Sequence, residues 1–533
     1  MVLARTAVLS LAAALAALTT PAQASDGVPD CRALLDQGGG VWPELTDAIH
    51  GAVRLDPQTL TGPADLVRAI VAAGGAPVVI EGANFAGWDM RDAGRPLNNL
   101  CLIRSRLGGS RWDGLDLSGS AFVLSDMAGA RFDRAMLHGV VLSDVRLAGT
   151  EMRGADLTGG SLDGGWFTDL SEVTGEADAS TSLDGWDLTG ADLAGFRFEC
   201  GIDVPTGCPL ERTVTLTGAR LTGTDLSRFP GWGSFAIAGA RLDGTVIAPD
   251  QVRYFAEAEQ VGPVVLAGGD QRLAFDKTEF DVLQAGYKAA ARLEETPGFA
   301  CAAAAMPVER LICSEDGRNY ALPRSDRRMA ALFAQVRAAR PAALAEQRAW
   351  LRQRNACTTA ECLAQAYDSR LAQLLGQAGI PPSLPVGEPQ LFVEQGVMPD
   401  MGDMPPALRD KLIPVLAAAA DQSIVVTRQA DGTLDAVGEA IGANAHICSL
   451  EVRGLRLDPA TGWFSLFDAA GQPAPAIRLI GEEIEVYADG QPDWQSLPEV
   501  DFMSCGARAR FVAGTRLAAD PATVAAFASG WER

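Results

Sequence analysis

Large apolar residues recur at every fifth position along the middle of the chain: Leu97, Leu102, Leu107, Trp112, Leu117, Phe122, Met127, Phe132, Leu137, Leu142, Leu147, Met152, Leu157, Leu162 and Phe167, 15 in unbroken register. A period of five matches neither the 3.6-residue turn of a helix nor the two-residue alternation of a strand. Self-similarity at a fixed short period predicts a solenoid, in which each turn buries its apolar face against the next. The position two before each centre is small or β-branched in 12 of the 15 cases, as at Ser105, Ser125, Ala130, Val140 and Thr150, so it should share the interior. The position two after is glycine in nine, as at Gly109, Gly114 and Gly154, which suits a turn every five residues. The same spacing occurs at Ile80, Phe85 and Met90, then at Leu183, Leu188, Leu193 and Phe198, at Leu216, Leu221 and Leu226, and at Ile237, Leu242 and Ile247. The register slips at Gly94 and Pro96, in the acidic stretch around Asp169 to Asp178, in the loop holding Cys200 and Cys208, and at Pro230. Acids such as Asp116, Asp144 and Asp156 are expected on the outside.

Ala83-Asn84-Phe85, Ala155-Asp156-Leu157 and Ala191-Asp192-Leu193 fit the unit A-(D/N)-L-x-x. Residues 78–250 therefore resemble the pentapeptide-repeat family. The resemblance implies a right-handed quadrilateral β-helix with four pentapeptides per coil and about seven coils, roughly 34 Å of rod at the spacing of stacked strands.

Flanking patterns predict a multidomain chain. Residues 25–77 read as an N-terminal helical cap, with Pro63 at a helix start and Leu66, Val67, Ile70 and Val71 at helical spacing. Residues 251–298 read as a C-terminal cap or linker. Residues 299–372 carry 11 Arg against seven Asp and Glu, a net +4 in an acidic chain. Helical spacing groups Met329, Leu332 and Phe333, and separately Leu344, Trp350 and Leu351. The elements Val308-Glu309-Arg310-Leu311-Ile312-Cys313, Gln347-Arg348-Ala349-Trp350-Leu351 and Cys362-Leu363 through Tyr367 to Arg370-Leu371 resemble the LprI-type lysozyme-inhibitor family. That implies a small disulfide-linked α-helical domain over about 299–375 and a lysozyme-like hydrolase as partner. Arg327, Arg328, Arg348, Arg352 and Arg354 fall on exposed arcs of most helical wheels and are the candidate partner-binding residues. Pro381, Pro382 and Pro385 mark a linker over 376–387. Alternating stretches such as Ile447–Val452 and Ile484–Tyr487 predict a small antiparallel β module over 388–533. Asn444–Cys448 and Ser504–Ala509 look like the β module that sometimes follows LprI-type domains.

Compartment and charge narrow the function. Arg5, the apolar run Ala7–Leu18 and Ala22-Gln23-Ala24 read as a signal peptide over residues 1–24, so the chain should be periplasmic or secreted. Its removal takes net charge from −23 to −24. An even count of ten cysteines then predicts disulfides: proximity suggests Cys200–Cys208, Cys301–Cys313 and Cys357–Cys362, domain logic Cys448–Cys505, and elimination Cys31–Cys101. Cys101 precedes the centre Leu102, so it should point outward, where a cap carrying Cys31 could meet it. The acidic balance disfavours nucleic acid as partner, and no apolar run is long enough to span a membrane. With histidines only at His50, His138 and His446, and no nucleophile elbow, phosphate loop or metal-helix motif, no catalytic residue, metal or cofactor is expected. Two readings remain: an exported binding or inhibitor protein, with a lysozyme as its candidate target, and an envelope scaffold without inhibitory action.

Overall fold

The computed structural model describes Cys31 and residues 52–528, apart from 94–95, 165–172, 174–181, 184, 201–212, 229–234, 382, 443–446, 488–501 and 507–508. Residues 1–24, read above as a signal peptide, and His50, Cys208, Phe167 and His446 lie outside the described residues.

The five-residue period builds a rod of stacked parallel strands. Along one side run β1 (Val53–Leu55), β2 (Val78–Glu81), β3 (Leu100–Ile103), β4 (Ala121–Val123), β5 (Val141–Ser143), β6 (Ser161–Gly164), β7 (Arg197–Cys200), β8 (Asp225–Arg228), β9 (Thr245–Ile247) and β10 (Val264–Gly268). The registers Cys101↔Ala121↔Val141↔Ser161 repeat every 20 residues, which is four pentapeptides per coil. Each slip in the sequence lengthens one coil. Val78 pairs with Leu100 across the Gly94–Pro96 break, and Ser161 pairs with Arg197 across the acidic stretch.

Every described centre from Ile80 to Ile247 is buried, the most exposed being Ile237 at 4%. Their small partners are buried too, and the hydroxyls among them bond the coils together. Ser125 Oγ accepts from the Ser105 amide at 3.1 Å and donates to Val123 O at 2.8 Å. Trp112 Nε1 donates to Ser110 Oγ at 2.7 Å. A small polar residue is thus tolerated inside because each hydroxyl reaches backbone or indole in a neighbouring turn. In most coils the position two past the centre has positive φ, and not only where it is glycine: Gly109, Gly114 and Gly154, but also Asn99, Arg104, Leu124, Arg134 and Asp144. Asp144 corrects the outward expectation, since it is 1% exposed.

The cap over 25–77 is not purely helical. Within its described part, β1 adds a strand parallel to β2 (Val53↔Val78), ahead of α1 (Pro63–Ala72). Cys31 bonds to Cys101 on the outside of the rod, as elimination suggested. It joins a second apolar cluster with Val79, Ile103, Ala121 and Val123, so this outer face is covered rather than solvated.

At the other end, β10 turns back antiparallel into β11 (Gln271–Phe275), which ends the parallel stack. Asp276 then caps α2 (Lys277–Glu295): it accepts from Glu279 N at 2.9 Å, and Glu279 accepts from Asp276 N at 3.0 Å. The helical domain follows as α3 (Pro307–Ile312), α4 (Glu315–Asn319), α5 (Leu322–Ala339), α6 (Ala343–Arg354) and α7 (Ala360–Ala378). Its core is Leu322, Met329, Leu332, Val336, Trp350, Leu363, Tyr367 and Leu371, stapled at the edges by Cys301–Cys313 and Cys357–Cys362.

The C-terminal module is a closed barrel, which sequence patterning resolved only as an antiparallel module. Its strands are β12 (Gln390–Glu394), β13 (Gln422–Arg428), β14 (Leu434–Ile441), β15 (Ile447–Leu457), β16 (Phe464–Phe467), β17 (Pro473–Ile480), β18 (Glu483–Val486), β19 (Met503–Cys505) and β20 (Gly514–Leu517). Neighbours pair antiparallel in the order 12-13-14-15-16-17-18-20 and back to 12, with β19 added to β15 by the Cys448–Cys505 disulfide and pairing. Eight strands enclose an interior that side chains fill, here Phe392, Ile424, Leu450, Phe464, Ile477 and Ile484. The proline-rich stretch is not a free spacer: α7 runs into it, and Leu384 is buried in the barrel core. Inserted between β12 and β13, α8 (Pro406–Ala419) packs on the rod's terminal hairpin. The contact is close enough that a Cβ at Gly268 would lie 2.4 Å from Val415 O. One continuous apolar core therefore runs from the rod into the barrel's flank.

Candidate functional site

The five candidate arginines separate into three environments. Arg354 is 7% exposed, not outward: it donates to Tyr367 Oη at 3.3 Å and lies 3.7 Å from Asp326. Asp326 is itself buried, accepting from Tyr367 Oη at 2.6 Å and from Gly298 N at 2.9 Å. Burial, and then the Asp326 charge, push the Tyr367 hydroxyl well up, so it stays a donor. The guanidinium of Arg354 also lies 5.6 Å over the Trp350 ring, whose Nε1 donates to Ala366 O at 3.0 Å. Arg354 is a core strut of the helical domain.

Arg328 is half-hidden against the barrel. It pairs with Glu483 and, at 2.6 Å, with Glu485, both on β18. Arg324, one turn earlier on α5, pairs with Glu483 at 2.8 Å. On the barrel side Arg478 reaches Glu485 at 2.6 Å and Asp368 of α7 at 2.9 Å. Burial alone would raise the Glu485 carboxyl, but Arg478 and Arg328 hold it below the usual carboxylate range. The pairs centred on Glu483 and Glu485 are largely desolvated and multiply bonded, so they lock the helical domain onto the barrel.

Arg348 and Arg352 keep the expected exposure. They stand one turn apart on α6 and make no ion pair or hydrogen bond with a described residue. Arg327 is half-buried, donates to Thr296 O at 2.6 Å, and borders a cleft where rod end, helical domain and barrel meet. That cleft has a volume of about 530 Å³. Sequence reasoning missed it, because its walls come from α2, the 396–401 segment and strands β17, β18 and β20, far apart in the chain.

One face of the rod carries a ladder of internal ion pairs. There Arg131 lies near Asp113, Asp133 and Glu151, and Arg153 near Asp133, Glu151 and Asp187, so the ladder climbs from coil to coil. Among the described residues no group of three or more potential metal ligands converges, and no helix is long and apolar enough to cross a membrane.

The pentapeptide-repeat family model matches residues 135–169, with eight copies. The described part of this segment, residues 135–164, folds as part of the solenoid. Among solved structures, the chain is similar to QnrB1, a plasmid-mediated fluoroquinolone resistance protein, at 16% identity over 32% of this chain and 81% of that one, with a TM-score of 0.17. It is similar to HetL, a pentapeptide repeat protein involved in heterocyst differentiation regulation from the cyanobacterium Nostoc, at 23% identity over 32% of this chain and 71% of that one, TM-score 0.13. A pentapeptide repeat protein of the Arabidopsis thaliana thylakoid lumen matches at 21% identity over 28% and 74%, TM-score 0.11. Comparison with curated proteins gives no match.

Proposed function

We propose that the chain is an exported, non-enzymatic binding protein of the periplasm or cell exterior, in which a right-handed quadrilateral rod carries an LprI-type helical domain that engages a lysozyme-like hydrolase. The observation that supports this reading is the contrast among the arginines. Arg328 and Arg354 are consumed by the fold, whereas Arg348 and Arg352 stand exposed on a helix face with no ion pair or hydrogen bond to a described residue. Exposed guanidiniums of this kind are suited to bidentate capture of a partner's carboxylates.

The acidic body would supply the long-range attraction for a cationic lysozyme, and the helical face the short-range contact. Titrating the full mature chain with a cationic lysozyme by calorimetry, at low and at high salt, separates the two. A specific contact survives screening beyond ~8–10 Å and weakens in the Arg348→Ala, Arg352→Ala double variant. Binding that vanishes with salt and ignores the double variant refutes the contact.

The alternative is an envelope scaffold without inhibitory action. Its support is the charge ladder on one face of the rod, where Arg131 and Arg153 are each shared among three acids of the same rod, as a spacer requires. No measurable binding to lysozyme at either salt concentration favours that reading.

A further inference from the structure

The cleft at the three-module junction has the size of a small-molecule site, about 530 Å³. Its apolar wall is the face of α2 bearing Tyr287, Ala290 and Leu293, opposed by Met398 and Ile480. Tyr287 is buried and its hydroxyl donates to Val397 O at 2.8 Å, so the ring serves as wall. Leu293, in contrast, is left 44% exposed at the mouth.

The rim is charged, and its charges are unequally engaged. Three arginines, Arg253, Arg327 and Arg516, face three acids, Asp400, Glu482 and Glu483. Glu483 is already held by Arg324 and Arg328, neither of which borders the cleft. Glu482 is held by Arg516. Asp400 accepts from Gly402 N at 2.9 Å. Arg253 is exposed and stacks 4.8 Å over Tyr254, and its guanidinium makes no hydrogen bond or ion pair with a described residue. The rim's guanidiniums and carboxylates balance in number, Arg328 is shared with Glu485, and the Arg253 charge also acts on the Asp250 carboxyl, so what the rim offers an anion is the Arg253 N–H groups next to an apolar wall. An anionic head would find open N–H donors on Arg253, and a hydrocarbon chain would cover Leu293 and Met398.

We propose that this cleft binds an amphiphile made of an apolar chain and a single carboxylate head, the head on Arg253 and the chain along Ala290, Leu293 and Met398. Calorimetry of the full chain with dodecanoate below its micelle concentration tests this, with dodecyltrimethylammonium as the cationic control. One saturable site per chain is expected for dodecanoate and none for the cation. Arg253→Glu, on the exposed rim, should weaken dodecanoate about tenfold. Ala290→Trp, which fills the cleft from a half-buried position, should abolish binding with the melting temperature held. If Ala290→Trp fails to fold, the Arg253→Glu result decides. No saturable binding overturns the proposal; so does equal affinity for the two amphiphiles, or dodecanoate binding indifferent to Arg253→Glu.

Discussion

Replacing Arg134 by glycine should stabilise the rod. Arg134 occupies the turn slot two residues past Phe132, with φ of 57°. A side chain in the left-handed region costs roughly 1–2 kcal/mol, because Cβ crowds the following carbonyl. Glycine removes that strain but loses more backbone freedom on folding, which returns roughly 0.5–1 kcal/mol. The side chain forfeits little: Arg134 is exposed and makes no ion pair or side-chain hydrogen bond with a described residue. Its amide still donates to Arg153 O at 2.9 Å after the change. The net should be about 0.5–1 kcal/mol in favour of the variant. Met136→Gly is the control, since Met136 is also exposed but lies in the extended part of the coil, paired with Asp116 and Asp156, where glycine has only its entropic cost. Urea titration, read by hydrogen exchange at rod amides, should raise the midpoint for Arg134→Gly and lower it for Met136→Gly, with unchanged slopes. A lowered midpoint for Arg134→Gly would refute the idea that the slot, rather than the residue, sets the turn.

Leu142→Asp should cost several kcal/mol, because the carboxylate would lie between Phe122 and Leu162 in the sealed interior, and melting of the rod should fall by many degrees. Arg328→Ala should free the helical domain from the barrel, at about 3–5 kcal/mol for the partners left behind, seen as faster proteolysis between residues 376 and 390. Burial holds the Asp250 carboxyl above its usual range, with Asp421 adding and Arg253 opposing. A carboxyl raised in the fold contributes stability that is present below its unfolded value of about 3.9 and is lost as pH rises through the folded one. Asp250→Asn should therefore raise the melting temperature at pH 7 and leave it unchanged near pH 3.

The rod was legible because its period is local. A coil needs only a buried centre, a small partner and a turn, and each lies within five residues, so Leu102 or Ser125 could be placed without knowing the fold. Even so, the glycine rule understated the constraint: Leu124 and Asp144 adopt the same positive φ without being glycine. The arginines were legible as a set but not one by one. What separates Arg354 from Arg352 is Asp326 and Tyr367, which reach Arg354 only once α5 and α7 have packed. Arg328 needs β18, more than 150 residues away. Barrel closure was hidden for the same reason. Alternation marks a strand but not its neighbour, and the pairing of β12 with β20 that completes the ring joins residues far apart in the chain.

The most direct test of the binding account is the rate at which a cationic lysozyme lyses cell walls in the presence of the mature chain. The account predicts slowing by micromolar protein that persists at high salt, and loss of that slowing in the Arg348→Glu, Arg352→Glu double variant with its helix content unchanged. Lysis rates unaffected by the wild-type chain, or slowed equally by the double variant, would contradict it.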